Sequence, residues 1–234
     1  MEYAKGRGSE YWQEQKTAYL LILESFLKDV DKENINDLDE EHKLKLVESA
    51  LSEEVRLYAL DFVSQANLLI IANDETQNLN VRIKAINLLQ SVKQIDIAIA
   101  NLISSTKESR LIKAGAEKLQ DEEAMYIAIC SSNVPEKVKT SLMMRLTESM
   151  DYIEAIARNE ELPSKVRILA LNSGISFEVQ KDIARVTSNS DVILFVLDYN
   201  MKDDNFLSEM EQKGGAISDR AKSLKRRNKR RKKS

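Results

Sequence analysis

The chain of 234 residues carries 35 basic and 38 acidic side chains, a formal net charge of −3, with 43% apolar and 31% charged residues. That balance excludes an intrinsically disordered or membrane-embedded chain, and the most apolar stretches, residues 18–23 and 192–197, fall far short of the roughly 18 residues that a helical span needs. Six glycines and two prolines leave little room for a turn-rich β fold, and a single cysteine, Cys130, excludes an internal disulfide.

Residues 1–15 are polar and lack both a long apolar run and a small-residue cleavage site, so no secretory leader is expected. The expected location is the cytoplasm, or the nucleus if the source is eukaryotic. The first predicted helix runs from about Ser9 to Val30, with Tyr11, Trp12, Tyr19, Leu20, Leu23, Phe26, Leu27 and Val30 at spacings of three and four. It is read as the cap of a repeat array, with a partner-binding knob at Tyr11 and Trp12 as the functional alternative. An acidic linker, Asp31–Glu41, leads to a short helix over Leu44–Leu51, which completes an N-terminal region of residues 1–51.

Residues 52–200 hold a repeat. An Ile-Ala pair recurs as Ile71-Ala72, Ile99-Ala100, Ile127-Ala128, Ile156-Ala157 and Ile183-Ala184, with isoleucines 28, 28, 29 and 27 residues apart. A second anchor precedes most of these pairs: Val55-Arg56, Val81-Arg82, Val138-Lys139 and Val166-Arg167, with Leu111 in the third slot and Val192 opening a sixth unit. Small or apolar residues follow each anchor in steps of four, as in Val81, Ala85 and Leu89 or Val138, Leu142 and Leu146, which places them on one helical face. Pro135 and Pro163 each stand three residues before an anchor and mark helix starts, where a missing N–H costs nothing. Acidic pairs such as Glu53-Glu54 gather at the same places and complement the helix dipole.

A period near 28 is one helical hairpin, and a lone hairpin cannot hide the apolar stripes of both its helices. Stacking hides them, so the expectation is an all-α fold: an α-solenoid of about five to six hairpins with an N-terminal capping helix. The pattern Val-Arg-x-x-Ala-x-x-x-Leu followed by Ile-Ala, as in Val81 to Ala100, resembles the short HEAT-like repeats of bacterial and archaeal proteins, the type also found in phycocyanobilin lyases. The resemblance covers about residues 52–200 and implies the fold; its relatives serve as scaffolds, lyase subunits and DNA-repair enzymes. Two units depart from it. Ile112 and Gly115 replace the basic residue and alanine of the third, and Gly174 stands where the fifth expects leucine, which predicts looser or bent packing.

The Arg/Lys ladder of Arg56, Arg82, Lys139 and Arg167 has two readings: pairing with a carbonyl or carboxylate of a neighbouring repeat, or a basic stripe along a groove. Beyond residue 200 the character changes. Met201–Lys213 is a polar helix candidate, Gly214-Gly215 a hinge, and Ala216–Ser234 a basic tail. From Glu211 onward there are 11 basic and 2 acidic residues, a net of +9, against 24 and 36, a net of −12, in residues 1–210. Such dense like charge predicts a disordered segment when free. Three roles compete: nucleic-acid contact, a nuclear address, or an acidic partner, which could be the body of the same chain. For the first, the predicted contact residues are Lys225, Arg226, Arg227, Lys229, Arg230, Arg231, Lys232 and Lys233.

Catalysis finds little support. His42 stands alone in a charged helix, Cys130 reads as a buried structural thiol, and there is no zinc-ligand spacing, phosphate loop or nucleophile elbow. No cofactor or metal is expected. HEAT-like DNA glycosylases share the size and helical repetition but use aromatic side chains in a basic groove, whereas here Trp12 lies outside the repeats and their aromatics are expected mainly on apolar stripes. The expected function is a non-enzymatic scaffold that holds a macromolecular partner on its helical stack and contacts nucleic acid or a ribonucleoprotein through its tail. The alternative is a protein-interaction adaptor whose tail is an address or a solubiliser.

Overall fold

The computed structural model describes residues 17, 18, 21, 37–50, 52–199 and 202–231, and all regular structure among them is helical. Most of the predicted cap over Ser9–Val30, including Tyr11 and Trp12, lies outside the described residues. The chain divides between Gln120 and Asp121 into two compact units. The first holds α1 (Glu40–Ser49), α2 (Glu53–Ala59) running into a 3-10 turn (Leu60–Phe62), α3 (Gln65–Asn73), α4 (Leu79–Leu88), α5 (Lys93–Ser105) and α6 (Ser109–Lys118). The second holds α7 (Glu122–Cys130), α8 (Glu136–Met143), α9 (Met150–Arg158), α10 (Ser164–Asn172), α11 (Phe177–Val186), α12 (Ser190–Tyr199), α13 (Asp204–Glu211) and α14 (Gly215–Arg231).

Helix starts follow local chemistry. Asp39, Ser52, Ser64, Asn78, Asp121, Ser176 and Asp203 each accept a backbone N–H of the first turn that has no helical carbonyl to bond. The cap at Asp39 draws Glu40 and Glu41 into α1, so the helix begins inside the stretch read as linker. Pro135 and Pro163 sit at the N-cap positions of α8 and α10, as their spacing predicts.

The two anchors of the repeat explain one another. Arg82 Nε donates to the carbonyl of Ala72 at 3.0 Å, and Arg167 Nε donates to the carbonyl of Ala157 at the same distance. Arg56 makes the equivalent bond to Ala50. The arginine of each Val-Arg helix thus satisfies a carbonyl at the C-terminal end of the helix before it, where no further turn supplies a donor. This pairing fixes the hairpin: α3 packs on α4 and α9 on α10, the Ile-Ala helix against the Val-Arg helix that follows it. The unit taken from the sequence, Val81 to Ala100, joins the same helices in the opposite order.

Within the first unit α2 also packs on α4, α4 on α6, and α3 on α5; within the second, α8 packs on α10, α10 on α12, and α12 on α14. The core is almost wholly aliphatic. Val81, Ala85, Ile86, Ile99, Ala100, Ile103, Ile153, Ile156, Val166 and Ala170 are fully buried, whereas Phe206 is the one buried aromatic side chain among the described residues. The aromatics of residues 52–200 were expected mainly on apolar stripes. All seven are half-buried or exposed instead.

Three further details depart from the sequence pattern. In α7 the buried face is Ala124, Met125, Ala128 and Ile129, so Ile127 lies half-exposed; Val138 in α8 is likewise half-exposed beside buried Lys139. α7 is thus turned by about one residue relative to the other Ile-Ala helices, whereas α8 keeps the register of α10, burying Lys139, Leu142 and Met143 where α10 buries Arg167, Ala170 and Leu171. Gly115 tightens its unit rather than loosening it, because a Cβ there would stand 3.1 Å from Ile99 Cγ2 and still closer to Ile103. Gly174, at φ +94°, lies beyond the end of α10 and turns the chain toward α11.

Candidate nucleic-acid interface

The basic segment is presented by the last two helices. Asp203 opens α13, accepting the backbone N–H of Asn205 at 3.1 Å, that of Phe206 at 3.0 Å, and the Lys181 ammonium at 2.9 Å. The Phe206 N–H above all, then Lys181, hold its carboxyl below the usual aspartate range. The helix buries Phe206, Leu207 and Met210. Gly214 and Gly215 follow at φ +78° and +55°, two successive left-handed residues that only glycine adopts without strain. The expected hinge is a tight reversal, from which Ser218 N–H bonds to Gly214 O at 3.1 Å.

What comes next corrects the expectation of a disordered tail. Gly215–Arg231 is a helix of 17 residues that packs on α13 and α12. Its buried residues Ser218, Ala221, Leu224 and Asn228 recur at three and four, a narrow docking stripe that the charge count conceals. Acidic side chains of the supporting helices offset part of the self-repulsion. Arg220 meets Asp198 at 2.7 Å, Lys225 meets Glu211 at 3.1 Å and Ser208 Oγ at 3.0 Å, and Asn228 bonds to Asp204 at 3.2 Å. Lys229, Arg230 and Arg231 occupy the last turn, where positive charge complements the helix dipole.

The predicted contact residues therefore divide. Lys225 is half-buried and occupied by Glu211. Arg226, Arg227, Lys229 and Arg230 are exposed and have no ion-pair partner among the described residues. Arg231 is exposed at the helix end, and Lys232 and Lys233 lie outside the described residues. Sequence reasoning missed Lys222, which is exposed and joins Arg226, Lys229 and Arg230 at steps of four, three and one. A helical spacing search through the tail finds it. These four form one stripe, about 12 Å from Lys222 to Arg230 at 1.5 Å per residue.

The Arg/Lys ladder contributes no basic stripe: Arg82, Lys139 and Arg167 are buried, and Arg56 is half-buried with its guanidinium bonded to a carbonyl. Arg167 also reaches Glu160 at 2.9 Å and Thr187 at 3.1 Å. Burial pushes the Lys139 ammonium below the usual lysine range. Cys130 is half-buried rather than buried, and desolvation pushes its thiol up, away from the reactive thiolate.

His42 lies on α1 with its Nδ1 beside the Asp39 carboxylate. A surface depression of about 400 Å3 in the first unit is lined by Glu53, Glu54, Leu57, Tyr58 and Lys84. The Lys84 amine there is committed to the Leu57 carbonyl and to Asp61. Among the described residues no group of three or more His, Cys, Asp or Glu side chains is placed to hold a metal ion, and no helix is long and apolar enough to cross a membrane. No family model, curated protein or solved structure matches this chain.

Proposed function

We propose that the chain is a non-enzymatic α-solenoid of short HEAT-like hairpins that holds a macromolecular partner and binds nucleic acid, alone or within a ribonucleoprotein, through the exposed face of α14. The observation that carries this reading is the stripe Lys222, Arg226, Lys229 and Arg230 with Arg227 beside it, held on a docked helix and unpaired among the described residues. The rest of the chain offers the opposite sign: residues 1–210 carry 24 basic and 36 acidic side chains. Concentrating the positive charge on one rigid face suits a polyanion with about one phosphate per 1.7 Å of duplex axis. Anchoring the arginines on a helix also lowers the ordering cost that a disordered arm meets on binding.

The test is fluorescence anisotropy of labelled 20-nucleotide RNA and DNA with the full chain at about 50 to 200 mM salt. Engagement of four or five phosphates predicts a slope of log affinity against log salt of about −3 to −5. Absence of binding at the lowest salt, or a slope near zero, overturns the reading. The second reading, a protein-interaction adaptor, is favoured by the exposed apolar side chains Ile70, Met144 and Val186. It predicts a partner whose binding is indifferent to salt and to α14.

A further inference from the structure

The second unit exposes an aromatic patch beside the basic helix. Phe177, the first residue of α11, is 57% exposed, and Tyr199, the last of α12, is 50% exposed. Phe195 of α12 is half-buried, and Tyr199 lies between it and Phe177. The Tyr199 ring stands 5.3 Å from Phe195 and 6.2 Å from Phe177, centroid to centroid, at interplanar angles of 36° and 48°. Its hydroxyl donates to Asn172 Oδ1 at 2.9 Å, which fixes the ring's position. Leaving two large rings this open in a chain whose core is aliphatic costs apolar burial, and the packing of α11 and α12 rests on Ile183, Ala184, Val192, Ile193, Val196 and Leu197 instead.

The patch and the basic helix are linked through α12, which carries Phe195 and Tyr199 and packs on α14. Asp198, one residue before Tyr199 and three after Phe195 on the same exposed side of α12, is held by Arg220 of α14, with Nε and Nη2 each at 2.7 Å. That contact offsets the charge of the Asp198 carboxylate, and Lys181 does the same for Glu178, the residue after Phe177. The Arg220 contact also identifies which flank of α14 faces α12: seven and eleven residues beyond Arg220, the helical repeat returns Arg227 and Arg231 to that flank. Lys225, reaching Glu211 and Ser208, lies on the opposite flank toward α13.

We infer that the α11–α12 aromatic patch is a stacking platform for unpaired bases, so that the nucleic acid held by α14 is single-stranded. Duplex DNA or RNA keeps its base faces stacked inward and offers the rings nothing, whereas a single strand can lay one or two bases on Phe177 and Tyr199 while its phosphates follow Arg227 and the Arg226–Arg230 face. Aromatic platforms flanked by a basic track recognise single strands without demanding a particular sequence, because every base has a π-face. This inference rests on the proposed function of α14 and adds to it the class of ligand.

The experiment titrates the full chain and two exposed-ring variants, Phe177→Ala and Tyr199→Ala, into a labelled 20-nucleotide single strand and the corresponding duplex at about 100 mM salt. Far-UV circular dichroism confirms that each variant is folded. Each alanine is expected to weaken single-strand binding by about five-fold or more, the two together by about twenty-five-fold or more, while duplex binding changes by less than two-fold. Phe177→Trp, which keeps a stacking surface, is expected to retain single-strand affinity. If both variants bind single strand as the unaltered chain does, or lose single strand and duplex alike, the platform is refuted and the patch is left to an apolar partner. In that case salt-sensitive binding that survives in the variants still supports the proposed role of α14. Absence of binding to either form by the unaltered chain removes both readings.

Discussion

Replacing Arg167 with methionine probes the chemistry that makes the repeat. The side chain is fully buried and makes three bonds: Nε to the Ala157 carbonyl at 3.0 Å, and Nη2 to Glu160 at 2.9 Å and Thr187 at 3.1 Å. Methionine fills most of the volume but leaves the carbonyl without a donor, a loss of about 1–3 kcal/mol. Glu160 is about half exposed, with 48% side-chain accessibility, so water takes over much of its solvation and the ion pair adds about 1 kcal/mol. The sum is about 2–4 kcal/mol, or about 4–16 °C in Tm for a chain of this size.

Arg167→Lys keeps the charge and follows the natural choice at Lys139, so about half that loss is expected. The assay is thermal and urea unfolding followed by far-UV circular dichroism. A second sign comes from pH. The Thr187 hydroxyl foremost, then Arg167, hold the Glu160 carboxyl below its ordinary value of 4.5. A depressed carboxyl stabilises the fold above its unfolded value and loses that contribution as pH falls through the folded one. The methionine variant is therefore expected to show a shallower acid limb below about pH 4.5. A midpoint within about 0.5 kcal/mol of the unaltered chain refutes the carbonyl-capping role.

Three other predictions follow from the packing. Gly115→Ala gains helix propensity of about 1 kcal/mol but drives a methyl into the branched side chains of Ile99 and Ile103 at an overpacking cost of about 2–3 kcal/mol, so a net loss of about 1–2 kcal/mol is expected in urea unfolding. The Glu122 carboxylate accepts the backbone N–H groups of Thr147, Glu148 and Ser149 at 2.9, 2.8 and 2.6 Å. Partial burial pushes its carboxyl up, but these three donors together leave it below the usual glutamate range. Glu122→Gln is expected to lose about 1–2 kcal/mol above pH 5, with a difference that shrinks as pH falls and the native carboxyl takes up its proton. Ending the chain at Gly214 is expected to lower the urea midpoint and raise binding of an apolar dye, because Phe206, Leu207 and Met210 lose the cover of Ala221 and Leu224; loss of a disordered tail leaves both unchanged.

Much of the helical layout was legible from spacing, because the Ile-Ala and Val-Arg pairs mark the two partners of one hydrogen bond. What spacing cannot show is which neighbour each helix pairs with. The Ala72 carbonyl reaches forward to Arg82, and that contact joins α3 to α4 rather than α4 to α5. The one-residue turn of α7 also escapes a pattern match, since Ala128 stays buried in either register. Gly115 read as a defect because its value lies in the absent Cβ, visible only against Ile99 and Ile103.

The tail was misread for a different reason. Charge density dominates residues 216–231, yet Ser218, Ala221, Leu224 and Asn228 carry the helical period, with only Ala221 and Leu224 apolar, too few to stand out as a stripe. Within the site, the basic residues were evident from composition. Their sorting into paired Lys225 and exposed Arg226, Arg227, Lys229 and Arg230, and the aromatic patch on α11 and α12, depend on which helices lie beneath and beside α14.

The most direct test of the account is the triple charge reversal Arg226→Glu, Arg227→Glu and Arg230→Glu in the full chain, measured by anisotropy across about 50 to 200 mM salt beside the unaltered protein. All three side chains are exposed, so far-UV circular dichroism and the unfolding midpoint are expected to stay near those of the unaltered chain. The account predicts that nucleic-acid binding falls by at least a hundred-fold at low salt and that the salt slope shrinks by about 2 to 3. A folded triple variant that binds with unchanged affinity and slope contradicts it.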